Sequence, residues 1–152
     1  MDKLEYANSF RDLIVYQKAR ELSLAIFMIT KRFPKEENYS LTDQVRRSSR
    51  SIGAQIAEAW AKRRYKKHFI SKLTDSDAEQ QETQHWIETA RDCEYISQEE
   101  AKTLLEKCAG IGRLLGGILA KADQFCKPFP YKIGEEQADY FAISTIQLEH
   151  KD

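Results

Sequence analysis

The sequence predicts an all-α protein, an up-down-up-down antiparallel four-helix bundle with a C-terminal tail outside the bundle. Three observations favour this fold class. In four stretches, apolar residues recur at alternating steps of three and four, which places them on one face of a helix. The 152 residues include 6 glycines and 3 prolines, too few for the many tight turns of an all-β fold. Charged residues make up 32% of the chain, which is typical of long helices with solvated faces.

The first predicted helix starts near Asp12, taken as its N-cap, and ends before Pro34. The residue before a proline avoids helical dihedral angles, so Phe33 and Pro34 are expected to close the helix. Its apolar stripe consists of Val15, Ala19, Leu22, Ile26, Ile29 and Phe33.

The second helix is predicted to begin at Ser40 or Thr42 and to run to about Arg64. Ser40 followed by Asp43 resembles a capping signal, and many small residues in this helix predict a close approach to its neighbours. The stripe consists of Leu41, Val45, Ser48, Ile52, Ile56 and Ala59.

The third helix is predicted from about residue 65 to residue 94. The middle of its stripe is polar, which predicts either a polar bundle interior or a hydrogen-bonded network covered by a partner helix. The stripe consists of Phe69, Leu73, Ser76, Gln80, Thr83, Ile87 and Ala90.

The fourth helix has the clearest start, because Ser97 and Glu100 form a capping-box sequence. Gly112 and Gly116 have the GxxxG spacing, which in a soluble helix is expected to permit close packing. The stripe consists of Ala101, Leu104, Cys108, Ile111, Leu115, Ile118 and Ala122.

Short loops between these helices predict antiparallel neighbours, with residues 1–122 as the bundle and residues 123–152 as a C-terminal extension. Residues 125–131 are aromatic and are interrupted by Pro128 and Pro130, so no helix is expected there. A second apolar stretch follows at residues 140–148. An aromatic tail of this kind is expected to dock on its own bundle or on a neighbouring molecule.

No apolar run approaches the roughly 18 residues that a membrane-spanning helix needs. The N-terminus has no charged-then-apolar signal peptide, so we expect a cytoplasmic protein without a membrane partner. The three cysteines, Cys93, Cys108 and Cys126, form no CxxC motif and are expected to be small core residues in a reducing compartment.

One sequence motif could bind a metal. Glu82 and His85 form a Glu-x-x-His motif, which di-iron bundles use twice, together with two further carboxylates. The remaining histidines, His68 and His150, lie outside the first, second and fourth predicted helices, so no second motif can form within the chain. There is also no Gly-x-Ser-x-Gly motif and no phosphate-binding glycine loop. We therefore expect no metal, no cofactor and no enzymatic activity.

The net charge is zero, but the charges are unevenly distributed. Nine Lys or Arg residues lie between Arg46 and Lys72 against one acid, Glu58. Ten acids lie between residues 75 and 106 against two basic residues. This division predicts a strong dipolar field, which could help a head-to-tail ring of subunits to close.

The basic stretch contains the candidate functional residues. Clustered cations beside an aromatic ring suit contact with a nucleic-acid backbone, with Tyr65 able to stack on a base. Alternatively, the cations cap the second helix or pair with the acidic third helix of a neighbouring subunit. The candidates are Arg46, Arg47, Arg50, Lys62, Arg63, Arg64, Tyr65, Lys66 and Lys67.

Seven short stretches together resemble one protein family. They are residues 10–19, 33–37, 39–47, 51–52 together with 55–60, 62–65, 69–73 and 82–84. Each is weakly specific, but the combination is similar to the bacterial four-helix bundle family of 23S rRNA intervening-sequence proteins, once labelled S23 ribosomal proteins. The resemblance covers roughly residues 10–120. Gln55 and Ala59 depart from it, since the family usually has Asn and often Gly at these positions.

The resemblance implies a ring-like homopentamer without catalytic residues. The family is also similar to accessory proteins of diversity-generating retroelements, which bind nucleic acid and a reverse transcriptase through a basic surface. This implies RNA or DNA backbone, further copies of the chain, and a reverse transcriptase or another protein as partners. The leading hypothesis is a homo-oligomeric nucleic-acid-binding protein, most simply an RNA-binding one. Its rival is a structural adaptor whose ligand is another protein.

Overall fold

The computed structural model describes residues 7–126, which form four long helices and several short turns. Each long helix packs on its neighbour along the chain, and the first packs on the fourth, so the bundle closes as predicted. No helix in the described range is both long and apolar enough to cross a membrane. The helices are α1 (Ile14–Thr30), α2 (Leu41–Ala61), α3 (Lys66–Asp92), α4 (Gln98–Ala120) and the single turn α5 (Ala122–Phe125), with 3-10 turns at Phe10–Asp12 and Lys35–Glu37.

The start of α1 differs from the prediction. Ser9 caps the 3-10 turn that precedes α1, and its side chain accepts a hydrogen bond from the Arg11 backbone N–H. Asp12 forms the other half of this capping box, because its carboxylate accepts from the Ser9 backbone N–H at 3.1 Å. Asp12 is therefore not an N-cap, and α1 begins after Leu13.

The start of α2 is stabilised by a residue outside the predicted capping signal. Ser40 occupies the N-cap position, but its hydroxyl donates to Glu37 Oε1 at 2.7 Å and caps no backbone N–H. The same Glu37 oxygen accepts from the Leu41 backbone N–H at 3.3 Å. The predicted pairing of Ser40 with Asp43 was therefore wrong, although the helix position was right.

Both α2 and α3 end earlier than predicted. Lys62 leaves helical geometry with φ −103° and ψ 17°, so α2 stops at Ala61 rather than near Arg64. Glu94 has φ 63°, in the left-handed region that ends helices, and α3 therefore stops at Asp92.

The predicted stripes of α2 and α3 are buried throughout. Between them lies a polar layer, which fits the prediction of a hydrogen-bonded network. The Ser76 hydroxyl donates to the Ile52 backbone carbonyl at 2.9 Å, and the hydroxyls of Thr83 and Ser48 are hydrogen bonded at 2.8 Å. Because buried polar groups are costly when unpaired, these bonds fix how α3 sits on α2.

The capping box that opens α4 is confirmed, with the Glu100 N–H donating to Ser97 Oγ at 3.0 Å. The prediction for the two glycines is half right. A Cβ on Gly112 would lie 2.9 Å from Nε2 of Gln80, so the absence of a side chain permits this approach of α4 to α3. A Cβ on Gly116 would meet nothing within 4 Å, so Gly116 serves no packing contact in the described chain.

The start of the tail packs on the bundle. Phe125 is helical and buried, stacking on Phe69 at 5.6 Å between ring centroids and meeting Trp60 edge-on at 6.5 Å. The expectation of no helix was therefore wrong for Phe125. Its ring packs against Phe69 and Trp60 at one end of the hydrophobic core, and this packing stabilises the short helix α5. Residues 127–152, including the apolar stretch at 140–148, lie outside the described residues, and the boundary at residue 122 stays a prediction.

The three cysteines occupy three different environments. Cys108 is buried on the α4 stripe, Cys126 is half-buried and Cys93 is exposed, and all three are free thiols. The expectation of core cysteines therefore holds for Cys108 alone. Burial raises the pKa of the Cys108 thiol to about 12, so it stays protonated at neutral pH.

Candidate functional site

The nine candidate residues do not form one patch. Three of them lie in the N-terminal half of α2, and six lie at or beside the connection between α2 and α3. From Arg50 to Lys62 the helix advances by twelve residues, which corresponds to about 18 Å. The structure therefore divides the predicted site into separate groups of cations.

The first group surrounds the ring of Phe27 on α1. The guanidinium carbons of Arg46 and Arg50 lie 4.7 and 5.6 Å from the ring centroid, and Lys31 Nζ lies 5.0 Å from it. None of the ion pairs found among residues 7–126 involves these three cations. We call Phe27 with Lys31, Arg46 and Arg50 the Phe27 cluster. It holds three positive charges in the groove between α1 and α2.

Arg46 is fixed in this cluster by neutral hydrogen bonds. Its Nε donates to Oγ1 of Thr30 at 2.7 Å, and its Nη2 donates to the Phe27 carbonyl at 3.5 Å. Thr30 is 3% exposed and donates in turn to the Ile26 carbonyl at 2.7 Å. These contacts orient the guanidinium without neutralising it, so its charge remains available to an anion.

Sequence reasoning missed Phe27 and Lys31. Phe27 is an aromatic residue outside the apolar stripe of α1, and Lys31 follows it by one helical turn. An unassigned aromatic one turn before a lysine was the available signal. Which helix would cover the ring depended on the packing of α1 against α2, which spacing alone does not supply.

Arg47 faces the other flank of α2, toward α3. Its charge acts on Glu79, whose pKa is raised chiefly by burial and next by the nearby Glu82 carboxylate. A hydrogen bond with Ser51 and the Arg47 charge both oppose this rise. Arg47 therefore belongs to a mixed-charge flank shared with α3 and is separated from the Phe27 cluster.

The second group is residues 62–67, which comprise the connection from α2 to α3 and the first two residues of α3. We call it the basic turn. Lys62 and Lys67 are exposed, while Arg63 and Arg64 are half-buried. The Arg63 guanidinium lies 3.6 Å from the Trp60 ring centroid, and its Nε donates to the Trp60 carbonyl at 2.8 Å. Arg63 therefore covers the ring of Trp60 as well as adding charge.

Tyr65 and Lys66 of the basic turn have structural partners. Lys66 Nζ lies 2.5 Å from Oδ1 of Asp123, and this hydrogen bond raises the pKa of Lys66. Tyr65 occupies the N-cap position of α3, is 49% exposed, and contacts the His68 ring at 5.6 Å. Lys66 thus ties α3 to α5, and Tyr65 is the exposed aromatic of this turn.

The one acid inside the basic stretch is neutralised locally. Glu58 Oε1 lies 2.9 Å from Nζ of Lys72, and the Gln55 side-chain oxygen accepts from the same ammonium at 3.4 Å. The amide of Gln55, one of the two departures from the family pattern, therefore serves the surface between α2 and α3. The outer surface of α2 keeps an excess of positive charge.

The Glu-x-x-His motif carries no metal-binding geometry. The Glu82 carboxylate accepts from Trp86 Nε1 at 3.0 Å, and the His85 ring meets the Trp86 ring edge-on at 4.6 Å. Across residues 7–126 no group of three or more His, Cys, Asp or Glu side chains could hold a metal ion.

The comparisons with known proteins agree with this fold. Residues 11–117 match the family described as 23S rRNA-intervening sequence protein. Among solved structures, the chain is similar to a protein of unknown function from the S23 ribosomal protein family of Bacteroides thetaiotaomicron VPI-5482. The two are 30% identical with a TM-score of 0.64, over 70% of this chain and 96% of that one. No curated protein is significantly similar in sequence.

Proposed function

Because the chain belongs to the family of 23S rRNA-intervening sequence proteins, we propose that it is a non-enzymatic, homo-oligomeric protein that binds nucleic acid, in the first place RNA. The binding surface in this proposal consists of the Phe27 cluster and the exposed lysines of the basic turn. Arg46 and Arg50 of the Phe27 cluster lie on α2, and Lys62 of the basic turn lies at its C-terminal end, so we expect one ligand running along α2 to reach both groups.

One observation carries the proposal most directly. Lys31, Arg46 and Arg50 converge on one aromatic ring, and no ion pair among the described residues involves them. Like charges held this close repel one another, and a bound phosphate relieves the repulsion. Guanidinium groups also match phosphate geometry, because their planar donors bind two oxygens at once.

Contacts of this kind are made to phosphates rather than to base edges. Such contacts position a nucleic acid but carry little sequence information. We therefore expect weak sequence preference and an affinity that falls steeply with salt, with a slope of about −0.7 to −0.9 per phosphate contacted.

A salt titration by filter binding tests the proposal with charge-reversal variants. Arg50→Glu removes one cation of the Phe27 cluster, and a Lys62→Glu, Lys67→Glu double variant reverses the exposed part of the basic turn. Lys102→Glu, on the exposed surface of α4, is the matched control. Arg63 and Lys66 are unsuitable, because Arg63 covers Trp60 and Lys66 is bonded to Asp123.

Each reversal is expected to weaken RNA binding by about tenfold or more and to flatten the salt slope by roughly one per cation removed. Lys102→Glu is expected to bind as the parent protein does. If no RNA binds at low salt, or if the control loses as much affinity as the variants, nucleic-acid binding is not the function.

The rival function, a protein–protein adaptor, is favoured by a separate observation. Asp75, Glu79 and Glu82 lie together on α3, and the raised pKa of Glu79 has its carboxylate neighbours among its causes. An acidic surface of this kind can pair with the basic surface of a neighbouring subunit. In that case the cations are buried between subunits and RNA does not bind. A pull-down is then expected to recover a reverse transcriptase or another protein as the partner.

A further inference from the structure

The outer ridge of α2 joins the two groups of cations. Beyond Arg50 its next outward positions are Ala54, which is exposed, and Ala57, which is half-exposed, before the helix reaches Lys62. Arg50, Ala54 and Ala57 recur at steps of four and three, and a further step of four leads to the exposed Ala61, directly before Lys62. The four helical positions therefore share one side of α2. The ridge therefore has cations at both ends. Between them lie the small side chains of Ala54 and Ala57, which we call the floor of the ridge.

Small side chains allow a ligand backbone to approach the helix closely. Among the residues of α2 from Arg50 onward, the one acid beside this floor is Glu58, which is bonded to Lys72 and so repels an anion less. From Arg50 to Lys62 the floor spans about 18 Å. Along the axis of a duplex, one strand places a phosphate about every 3.4 Å, so an 18 Å stretch of axis contains about five phosphates of that strand, of which those facing the protein can be contacted.

Two of the three aromatic rings near the ridge are covered by cations. Three cations surround Phe27, and the Arg63 guanidinium covers Trp60. Tyr65, which contacts His68 on one side, is the ring that stays exposed. Proteins that bind unpaired strands use open aromatic faces, on which successive bases stack. The ridge offers a nucleic acid charge and close approach but few such faces.

We infer that the ligand is a double helix, and that its phosphate backbone lies along the outer ridge of α2 between the Phe27 cluster and Lys62. This inference rests on the proposed nucleic-acid-binding function. A duplex keeps the faces of its bases stacked inside and presents its phosphate backbone along the outside, which is what the ridge can contact. A straight helix and a stiff duplex also meet without ordering a flexible strand, whose lost entropy would weaken binding.

The first test compares paired with unpaired ligands by filter binding to the full-length protein at one salt concentration. The probes are an RNA duplex, each of its strands alone, and a DNA duplex of the same sequence. The duplexes are expected to bind about tenfold more tightly than the single strands, a difference of about 1.4 kcal/mol. Tighter binding of the RNA duplex assigns the ligand as paired RNA, and equal binding assigns it as the backbone of either duplex.

The second test places a charge on the floor. Ala54→Glu puts a carboxylate on the ridge, and Ala78→Glu puts the same side chain on the exposed face of α3. Glu is a good helix former, so both variants are expected to fold, which circular dichroism checks. Ala54→Glu is expected to weaken duplex binding by about tenfold, while Ala78→Glu leaves it unchanged.

The outcomes separate this inference from the proposed function. Single strands that bind as tightly as duplexes, or an Ala54→Glu variant with unchanged duplex affinity, overturn the duplex ridge and leave nucleic-acid binding in place. Absence of binding by every probe at low salt overturns both.

Discussion

Thr42 carries a buried hydroxyl that the fold leaves without a partner. Its Oγ1 makes no hydrogen bond among the described residues, and the residue is 5% exposed. Thr42→Val replaces this hydroxyl by a methyl group of similar size, so we expect the free energy of unfolding to rise by about 1 kcal/mol. Urea denaturation measures the change.

Thr83 provides the matched control, because it is equally buried but fully bonded. Its hydroxyl pairs with Ser48 and donates to the Glu79 carbonyl. Thr83→Val is expected to lower the free energy of unfolding by about 1–3 kcal/mol, since the buried Ser48 hydroxyl loses the shorter of its two hydrogen bonds and keeps only the one to the Val45 carbonyl. Equal losses in both variants would contradict the assignment of Thr42 as unpaired.

Glu100 makes stability depend on acid pH. The hydrogen bond from Arg32, followed by that from the Ser97 backbone N–H, lowers the pKa of Glu100 from 4.5 to about 2. A carboxylate whose pKa is lowered by folding stabilises the protein above its unfolded pKa. This contribution is lost as the pH falls from about 4.5 to about 2.

The corresponding experiment follows unfolding by denaturant at several pH values between 4.5 and 2. Glu100→Gln is expected to show a weaker dependence on pH across this window than the parent protein. Glu99→Gln, at the exposed neighbouring position, is the control and is expected to retain the parental dependence. Parallel curves for the parent and Glu100→Gln would rule out this linkage.

Among the helices, α4 contains exposed glycines that its own packing does not require. A Cβ on Gly117 would meet nothing within 4 Å, although glycine destabilises a helix interior by about 1 kcal/mol relative to alanine. Gly117→Ala is therefore expected to raise the free energy of unfolding by up to about 1 kcal/mol. Thermal and urea denaturation together measure it.

Gly112→Ala is the comparison within the same helix. The new Cβ would lie 2.9 Å from Nε2 of Gln80. The Gln80 amide is held in place, because its Nε2 donates to Asp77 and its Oε1 accepts from Gln84. We expect this variant to be destabilised despite its better helix propensity. A stabilised Gly112→Ala protein would show that Gln80 moves aside without loss.

The elements that the sequence predicted well are those governed by spacing along one helix. All seven stripe positions of α3 are buried, and Ser97 with Glu100 opens α4 as expected. In both cases the interacting positions lie within a few turns of each other. The polar middle of the α3 stripe was also a correct signal of a network with α2.

The parts that were not predicted depend on packing between distant segments. Phe27 gathers cations from α2, and Lys66 bonds Asp123, more than fifty residues later. Phe125 was expected outside any helix because prolines follow it, but its burial against Phe69 outweighs that local signal. The nine candidate residues are contiguous enough in sequence to suggest one patch, whereas the turn of the helix separates Arg47 from Arg46.

On the scale of the whole molecule, the separation of charge bears on assembly. The outer ridge of α2 is basic and the adjoining surface of α3 is acidic, with Arg47 and Glu79 on the flank between them. Two different surfaces of opposite charge favour head-to-tail contacts, which close into a ring where the rotation between subunits allows it. The pentamer implied by the family resemblance is consistent with such contacts, but the charges alone set no number of subunits.

Light scattering coupled to size-exclusion chromatography tests this assembly at micromolar concentration. A pentamer has five times the 17.7 kDa mass of the chain. A mass equal to one chain would refute oligomerisation, and a stable dimer would refute the ring. The measurement is made without nucleic acid, so that a bound ligand does not contribute to the mass.

Because the Arg63 guanidinium lies over the Trp60 ring, the intrinsic fluorescence of Trp60 can report on the basic turn. Trp60 lies at the Phe69 end of the bundle, and Trp86 follows Phe69 by seventeen residues of α3, or about 26 Å. The chain has no other tryptophan. In a Trp86→Phe variant, all tryptophan emission comes from beside the basic turn, so spectral changes there follow a ligand's arrival without any attached dye. The reciprocal Trp60→Phe variant reports on the opposite end, and the pair together distinguish local contact from a change in the whole bundle.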